Sequence, residues 1–208
     1  MIGGVAAAAT LDRDGTWAPS EIYVPTPPAG VRALVPDGSF EFGPPPGSGW
    51  VEVSSQPCEW IANWTSVWGV GPYHGGFDYW AGGYCYGLPT SSSVTQQVTV
   101  DPTNCTLSFW FLCYRPDVDD VPGDGDHAYV KVNGVEVWTR AFTQANNTYP
   151  NWVNATVVIP AGSVSLAFGA DSFGSATGNI RFDYIELLPC GPTSADDVSW
   201  GTLKTLYR

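Results

Sequence analysis

An all-β sandwich of two facing antiparallel sheets is the fold class this sequence predicts, and three observations carry the prediction. Short runs of β-branched and aromatic residues recur along the chain, bounded by Gly, Pro, Asn or Ser. Charged residues make up only 13% of the chain, against 24 glycines, 18 prolines, 10 tryptophans, 10 tyrosines and 9 phenylalanines, a balance that suits turn-rich sheets rather than helices. No long amphipathic helical segment interrupts the pattern, and roughly ten to twelve strands within one unit imply two layers around one core.

Taken in order, residues 1–36 form a Pro/Ala-rich N-terminal arm (Pro19, Pro25, Pro27, Pro28, Pro36) with room for one short edge strand at 21–24. The first ten residues, MIGGVAAAAT, lack the basic flank of a secretion signal, yet Ala7-Ala8-Ala9 resembles the small-residue end of one. Met1 therefore reads either as an internal start or as the head of a flexible leader. Strand signals begin at Asp37, with a strand at 39–42 and another at 50–54 beyond the Pro44-Pro45-Pro46 turn. Val94, Gln96, Val98 and Val100 alternate with Thr95, Gln97 and Thr99, the mark of a half-buried strand. The run 106–114 is so apolar that both of its faces should be covered, which makes it the central strand. Residues 129–140 carry Asn133-Gly134 between valine-alternating arms, a strong hairpin signal. Strands at 152–159, 163–170 and 179–188 complete one sandwich over 37–190, and a C-terminal tail follows at 191–208. In that tail Trp200, Leu203, Leu206 and Tyr207 share the spacing of one short helical face, beside Lys204 and Arg208.

A formal charge of −12, with eight Lys and Arg spread along the chain, excludes a phosphate-backbone partner, so no nucleic acid is expected. No apolar run reaches the length of a membrane span. Five cysteines and four Asn-x-Thr sequons, at Asn63, Asn104, Asn146 and Asn154, point to an oxidising, extracellular or cell-surface setting in which those asparagines are candidate glycosylation sites. Cys105 and Cys113 cannot bridge each other along one strand, because eight residues at roughly 3.3 Å each hold them about 26 Å apart. The expected pairing is Cys58 with Cys85 and Cys105 with Cys190, leaving Cys113 free and buried.

The densest feature is aromatic. Nine rings lie within the 27 positions 60–86, and Trp60, Trp64, Trp68, Tyr73, Trp80 and Tyr84 are the candidate ligand-binding residues among them. Sugars present flat C–H faces that dock on aromatic rings while Asn, Asp or Gln at the rim bonds their hydroxyls. Trp60, Trp64 and Trp68 recur every fourth residue, which places them on one face in either regular structure: about 6 Å apart on a helix, or about 13 Å apart on a strand. The alternative is that most of these rings fill the core, as large aromatics usually do.

In their order along the chain, DGSFEF (37–42), CTLSFWFLCYR (105–115), VKVNGVEVW (130–138) and GNIRFDYIEL (178–187) resemble the jelly-roll, galactose-binding-like modules and carbohydrate-binding modules of secreted bacterial proteins. The resemblance covers residues 37–190, about three quarters of the chain. It implies a jelly roll whose first and last strands lie side by side and hold a structural Ca²⁺, with Glu41 and Asp183 as ligands and Asp37 as a further candidate. Without the metal, Asp183 would pair with Arg181 or cap a turn, and Glu41 would be solvated. The loop 117–126 gathers five aspartates but lacks the closing Glu of an EF-hand, so it reads as a solvated connection or a second cation loop. Catalytic signatures are missing: His74 and His127 are the only histidines, neither lies in a metal-binding spacing, and no Gly-x-Ser-x-Gly elbow occurs.

Together these features predict an extracellular, non-catalytic module that binds carbohydrate or another cell-surface ligand and carries structural calcium. The alternative is a structural subunit of a filament, sheath or virion, assembled with copies of itself through the arm and the tail.

Overall fold

Alternating runs become strands, and the turn residues between them set the connections. The computed structural model describes residues 33–47, 49–58, 60–85, 88–114, 125–172 and 178–190. In chain order the strands are β1 (Ala33–Leu34), β2 (Val51–Ser54), β3 (Ile61–Ala62), β4 (Asp78–Gly82), β5 (Tyr84–Cys85), β6 (Leu88–Pro89), β7 (Ser92–Val100), β8 (Thr106–Tyr114), β9 (His127–Val132), β10 (Val135–Ala141), β11 (Val153–Val158), β12 (Gly162–Asp171) and β13 (Asn179–Leu188). One turn of helix, α1 (Thr65–Trp68), and a 3-10 turn at Gln144–Asn146 complete the described elements.

These strands make a jelly-roll sandwich. One sheet runs β11-β8-β13-β4-β3 with β1 also on β13, the facing sheet runs β10-β9-β12-β7-β2, and β5 and β6 form a small ribbon. Every pairing is antiparallel. Among the described residues the first strand, β1, lies beside the last, with Ala33 opposite Leu187 and Leu34 opposite Glu186; it falls within the stretch read from sequence as the arm rather than at 39–42. On β7 the buried positions are Ser92, Val94, Gln96, Val98 and Val100, as period-two alternation requires. The Asn133-Gly134 turn has positive φ at both residues, 51° and 81°, which fits the right-handed twist of the β9–β10 hairpin. Phe182 at the core centre meets Phe168, Phe109 and Trp138 from the inner faces, with centroids 5.3, 6.0 and 6.2 Å away.

β8 is covered on both faces. Phe109, Phe111 and Cys113 point inward, yet Ser108 and Leu112 on its outer face are buried as well, so a third layer lies outside this sheet. Disulfides join Cys58 to Cys85 and Cys105 to Cys190, the second tying the start of β8 to the end of β13, and Cys113 is buried and free.

The strand expected at 39–42 is instead a compact turn. Gly38 and Phe40 donate to the carbonyls of Val35 and Asp37, the Asp37 carboxylate accepts the Phe42 N–H, and both Asp37 and Phe40 adopt positive φ. The side chain of Asp37 thus competes with a ladder, and the turn drives Phe40 into the core against Trp50 at 5.3 Å. The arm up to residue 32 with its predicted strand at 21–24, the tail at 191–208 and all of the acidic loop except Gly125 and Asp126 lie outside the described residues. No helix among the described residues is long and apolar enough to cross a membrane.

Candidate functional site

The third layer originates in charge. On β4, Asp78 and Trp80 alternate with inward Tyr79 and Ala81, and on β13, Arg181 and Asp183 alternate with inward Ile180 and Phe182. Two acids and one guanidinium therefore stand on the outer face of the sheet, and all three are 0% exposed. Arg181 donates through Nε and Nη2 to both oxygens of Asp78, and through Nη1 to the Val70 carbonyl at 2.7 Å. A strap of chain, residues 68–77, covers them. Its first half offers carbonyls: Trp68 to the Tyr149 hydroxyl (2.8 Å), Val70 to Arg181, and Gly71 to Trp152 Nε1 (3.1 Å). Its second half offers N–H groups: His74 to Asp183 Oδ2 (2.8 Å), Gly76 to the Glu41 carboxylate (2.9 and 3.0 Å) and Phe77 to Glu41 Oε1 (3.1 Å). Gly75 sits at φ 69°, where a Cβ would lie 2.2 Å from the Glu41 carboxyl carbon, so only glycine admits the clasp.

The pairing of Asp183 with Arg181 expected in the absence of metal does not occur, because Arg181 reaches Asp78 instead. β13 carries a bulge between Asp183 and Glu186, with Tyr184 at φ 49°, and the Tyr184 N–H donates to Asp183 Oδ1 at 2.6 Å. Burial pushes Asp183 well above the usual carboxylate range; its two N–H donors pull the other way, while Asp78 and Glu41 add repulsion. Burial also pushes Asp78 up to about 6, against the pull of Arg181.

The native fold binds more protons than the unfolded chain between the ordinary carboxylate range and about 6, so stability falls as pH rises through that window. Thermal unfolding followed from pH 7 down to pH 5 is expected to show a rising Tm; a level Tm would show that these acids titrate as solvated groups, and a falling one that Arg181 and the N–H donors hold them ionised.

The tryptophans gather around Trp80. Trp60, Trp64 and Trp68 meet its ring at centroid distances of 5.4, 4.7 and 5.2 Å, each nearly perpendicular to it. Trp64 caps α1 and Trp68 ends it, so the helical reading of the four-residue spacing holds for this pair, whereas Trp60 precedes β3. Trp64, Trp68 and Trp80 are half-buried, and Asn63, Thr65, Ser66 and Val67 beside them are exposed. Trp60 is only 2% exposed and Tyr73 only 7%, so neither presents a ring face to a ligand, which corrects the expectation for both. Trp60 backs Trp80 from beneath, and Tyr73 lies stacked on Trp110 at 3.9 Å with Trp152 and Tyr184 at its edges. The side chain of Tyr84, on β5, lies outside the described residues. His74 places its ring 5.0 Å from Tyr184.

Sequence reasoning missed Arg181, Asp78, Trp110, Tyr149 and Trp152 as partners of this layer. Trp110 carried a signal, since alternation along β8 puts it opposite the inward Phe109 and Phe111; Tyr149 and Trp152, at the β11 approach, carried none.

The acids named as calcium ligands fall close together. Asp37, Glu41, Phe42, Tyr184 and Ile185 line a depression of about 360 Å³, with Asp183 next to Tyr184 on β13. Asp37 Oδ2 is buried there without a hydrogen-bond partner, and burial raises the pKa of this acid. Among the described residues no group of three or more His, Cys, Asp or Glu converges as a ready-made metal cluster. The orphaned oxygen and the concentration of negative charge nevertheless fit a hard cation completed by main-chain oxygens. Of the sequons, Asn63 is exposed beside Trp64, Asn104 and Asn146 are half-buried, and Asn154 is exposed on β11 with its amide donating to Ser108 and Phe109.

No protein-family model matches the sequence, and no curated protein matches it. Among solved structures the chain is similar to the K1 cleaved adhesin domain of Lys-gingipain from Porphyromonas gingivalis W83, at 17% identity over 78% of this chain and 100% of that one, with a TM-score of 0.51. It is similar also to TmCBM61, solved in complex with β-1,4-galactotriose, at 15% identity over 77% of this chain and 100% of that one, with a TM-score of 0.52. At these identities the likeness establishes the fold, a jelly-roll sandwich of the carbohydrate-binding-module and adhesin-domain type.

Proposed function

We propose that this chain is an extracellular, non-catalytic binding module that takes carbohydrate on the partly exposed rings of Trp64, Trp68 and Trp80. One observation carries the reading: three indoles converge on Trp80 yet three of the four rings stay partly open, with Asn63, Thr65 and Ser66 at their rim. Such rings fit the C–H faces of sugars, and the rim supplies hydroxyl and amide partners. TmCBM61 shares the fold and binds a galactotriose, which makes β-1,4-linked galacto-oligosaccharide the first probe. The buried acids Asp78 and Asp183 face Arg181 and backbone N–H groups, an arrangement suited to holding the strap rather than to proton transfer. The two disulfides favour an oxidising compartment.

Glycan-array screening followed by calorimetry tests the reading. Trp64→Ala and Trp68→Ala are each expected to weaken binding by about tenfold to a hundredfold, the range of an aromatic hot spot. Full affinity in both variants would remove the proposal's support.

A calcium ion held by Glu41 and Asp37, with Asp183 adding its charge, belongs to the same proposal. Bound there, it would neutralise the acids and brace the turn at 37–42 against the strap. Excess chelator is expected to lower Tm by several degrees, restored by added Ca²⁺ through ligand linkage. An unchanged Tm in chelator would count against Glu41, Asp37 and Asp183 as ligands.

A further inference from the structure

Trp68 is the ring whose place is least secured by its own element. It ends a helix of a single turn, in which Trp68 and Gly69 donate to Trp64 and Thr65 at 3.0 and 2.8 Å. So short a helix does not hold itself in water, because the cost of nucleation is not recovered by further turns. The chain then leaves at Gly69 in the left-handed region, φ 67°, so the Trp68 carbonyl finds no partner further along the helix. That carbonyl accepts the hydroxyl of Tyr149, 81 residues away, at 2.8 Å.

Tyr149 is itself fixed by β8. Thr148 and Tyr149 donate their N–H groups to the Cys113 carbonyl at 2.9 and 3.2 Å, and the Cys113 N–H donates to the Thr148 hydroxyl at 2.8 Å. The position of Trp68 against Trp80, on β4, is thereby referred through Tyr149 to an interior strand of the same sheet.

We propose that Tyr149 is a positioning residue of the tryptophan site: its hydroxyl closes the α1 turn and holds Trp68 edge-on to Trp80 at the spacing a ligand meets. The consequence for affinity rests on the carbohydrate-binding reading; the consequence for ring geometry does not.

Tyr149→Phe removes the hydroxyl and keeps the ring. In the full chain its near-UV circular dichroism is expected to lose part of the signal of the coupled tryptophans, and its affinity for the galacto-oligosaccharide to fall about threefold to tenfold, the worth of one hydrogen bond. Tyr129→Phe, on the facing sheet, removes a hydroxyl bonded to Ser93 and should change neither reading. An unaltered dichroism spectrum in Tyr149→Phe overturns the proposal, as does an equal loss of affinity in Tyr129→Phe. If the parent protein binds no glycan while Tyr149→Phe still alters the tryptophan spectrum, the positioning role stands and the carbohydrate reading falls.

Discussion

Arg181→Met is expected to destabilise the domain by about 3–5 kcal/mol, the cost of leaving one member of a buried ion pair alone. The guanidinium contributes at three points. It neutralises Asp78, it satisfies both oxygens of that carboxylate, and it donates to the Val70 carbonyl in the strap. Methionine fills much of the same volume but supplies none of these donors, so an ionised or protonated Asp78 is left in a site that water does not reach. Urea denaturation checks this through the midpoint at constant slope. A companion variant, Asp78→Leu with Arg181→Met, should recover most of the loss, because two apolar side chains leave no uncompensated charge. A loss below about 1 kcal/mol in the single variant would mean that the pair is solvated and the strap is not a covering layer.

Trp80→Ala is the second large effect. Three indoles rest on this one ring, so its removal opens a cavity at the junction of β3, β4 and α1 and should cost about 3 kcal/mol. The same substitution takes away a stacking face and leaves Trp64 and Trp68 without the surface that orients them, so glycan binding should fall below detection. Near-UV dichroism, thermal unfolding and calorimetry read the three consequences separately. Retained affinity in a folded Trp80→Ala protein would show that the ring serves packing alone.

The long strands were legible because alternation reports a face. Val94 to Val100 on β7 declared its buried side, the Asn133-Gly134 turn declared the β9–β10 hairpin, and the span of β13 could be read from end to end. Residues 39–42 misled for a local reason: Ser39, Phe40, Glu41 and Phe42 alternate like a strand, but the Asp37 carboxylate captures the Phe42 N–H and sets a turn.

The site was harder to read. A strap laid across the outside of a sheet has no period of its own, so the pattern of Trp60, Trp64, Trp68 and Tyr73 cannot say which rings end beneath it. Arg181 and Asp78 stand on outward positions of their strands and look solvent-facing in sequence. What buries them is a loop that meets Arg181 across 111 residues of chain. The resemblance named Glu41 and Asp183 only as calcium ligands, and the engagement of both with backbone N–H groups of one strap was not anticipated.

Ligand is expected to meet this protein on the partly exposed tryptophans of the outer layer. ¹H–¹⁵N spectra of the ten indole N–H groups, recorded while galacto-oligosaccharide is titrated in, test it most directly. The resonances of Trp64, Trp68 and Trp80 should move together with one saturation curve, while that of core Trp50 stays in place. Movement confined to other residues, or a spectrum unchanged at saturating glycan, would contradict the account.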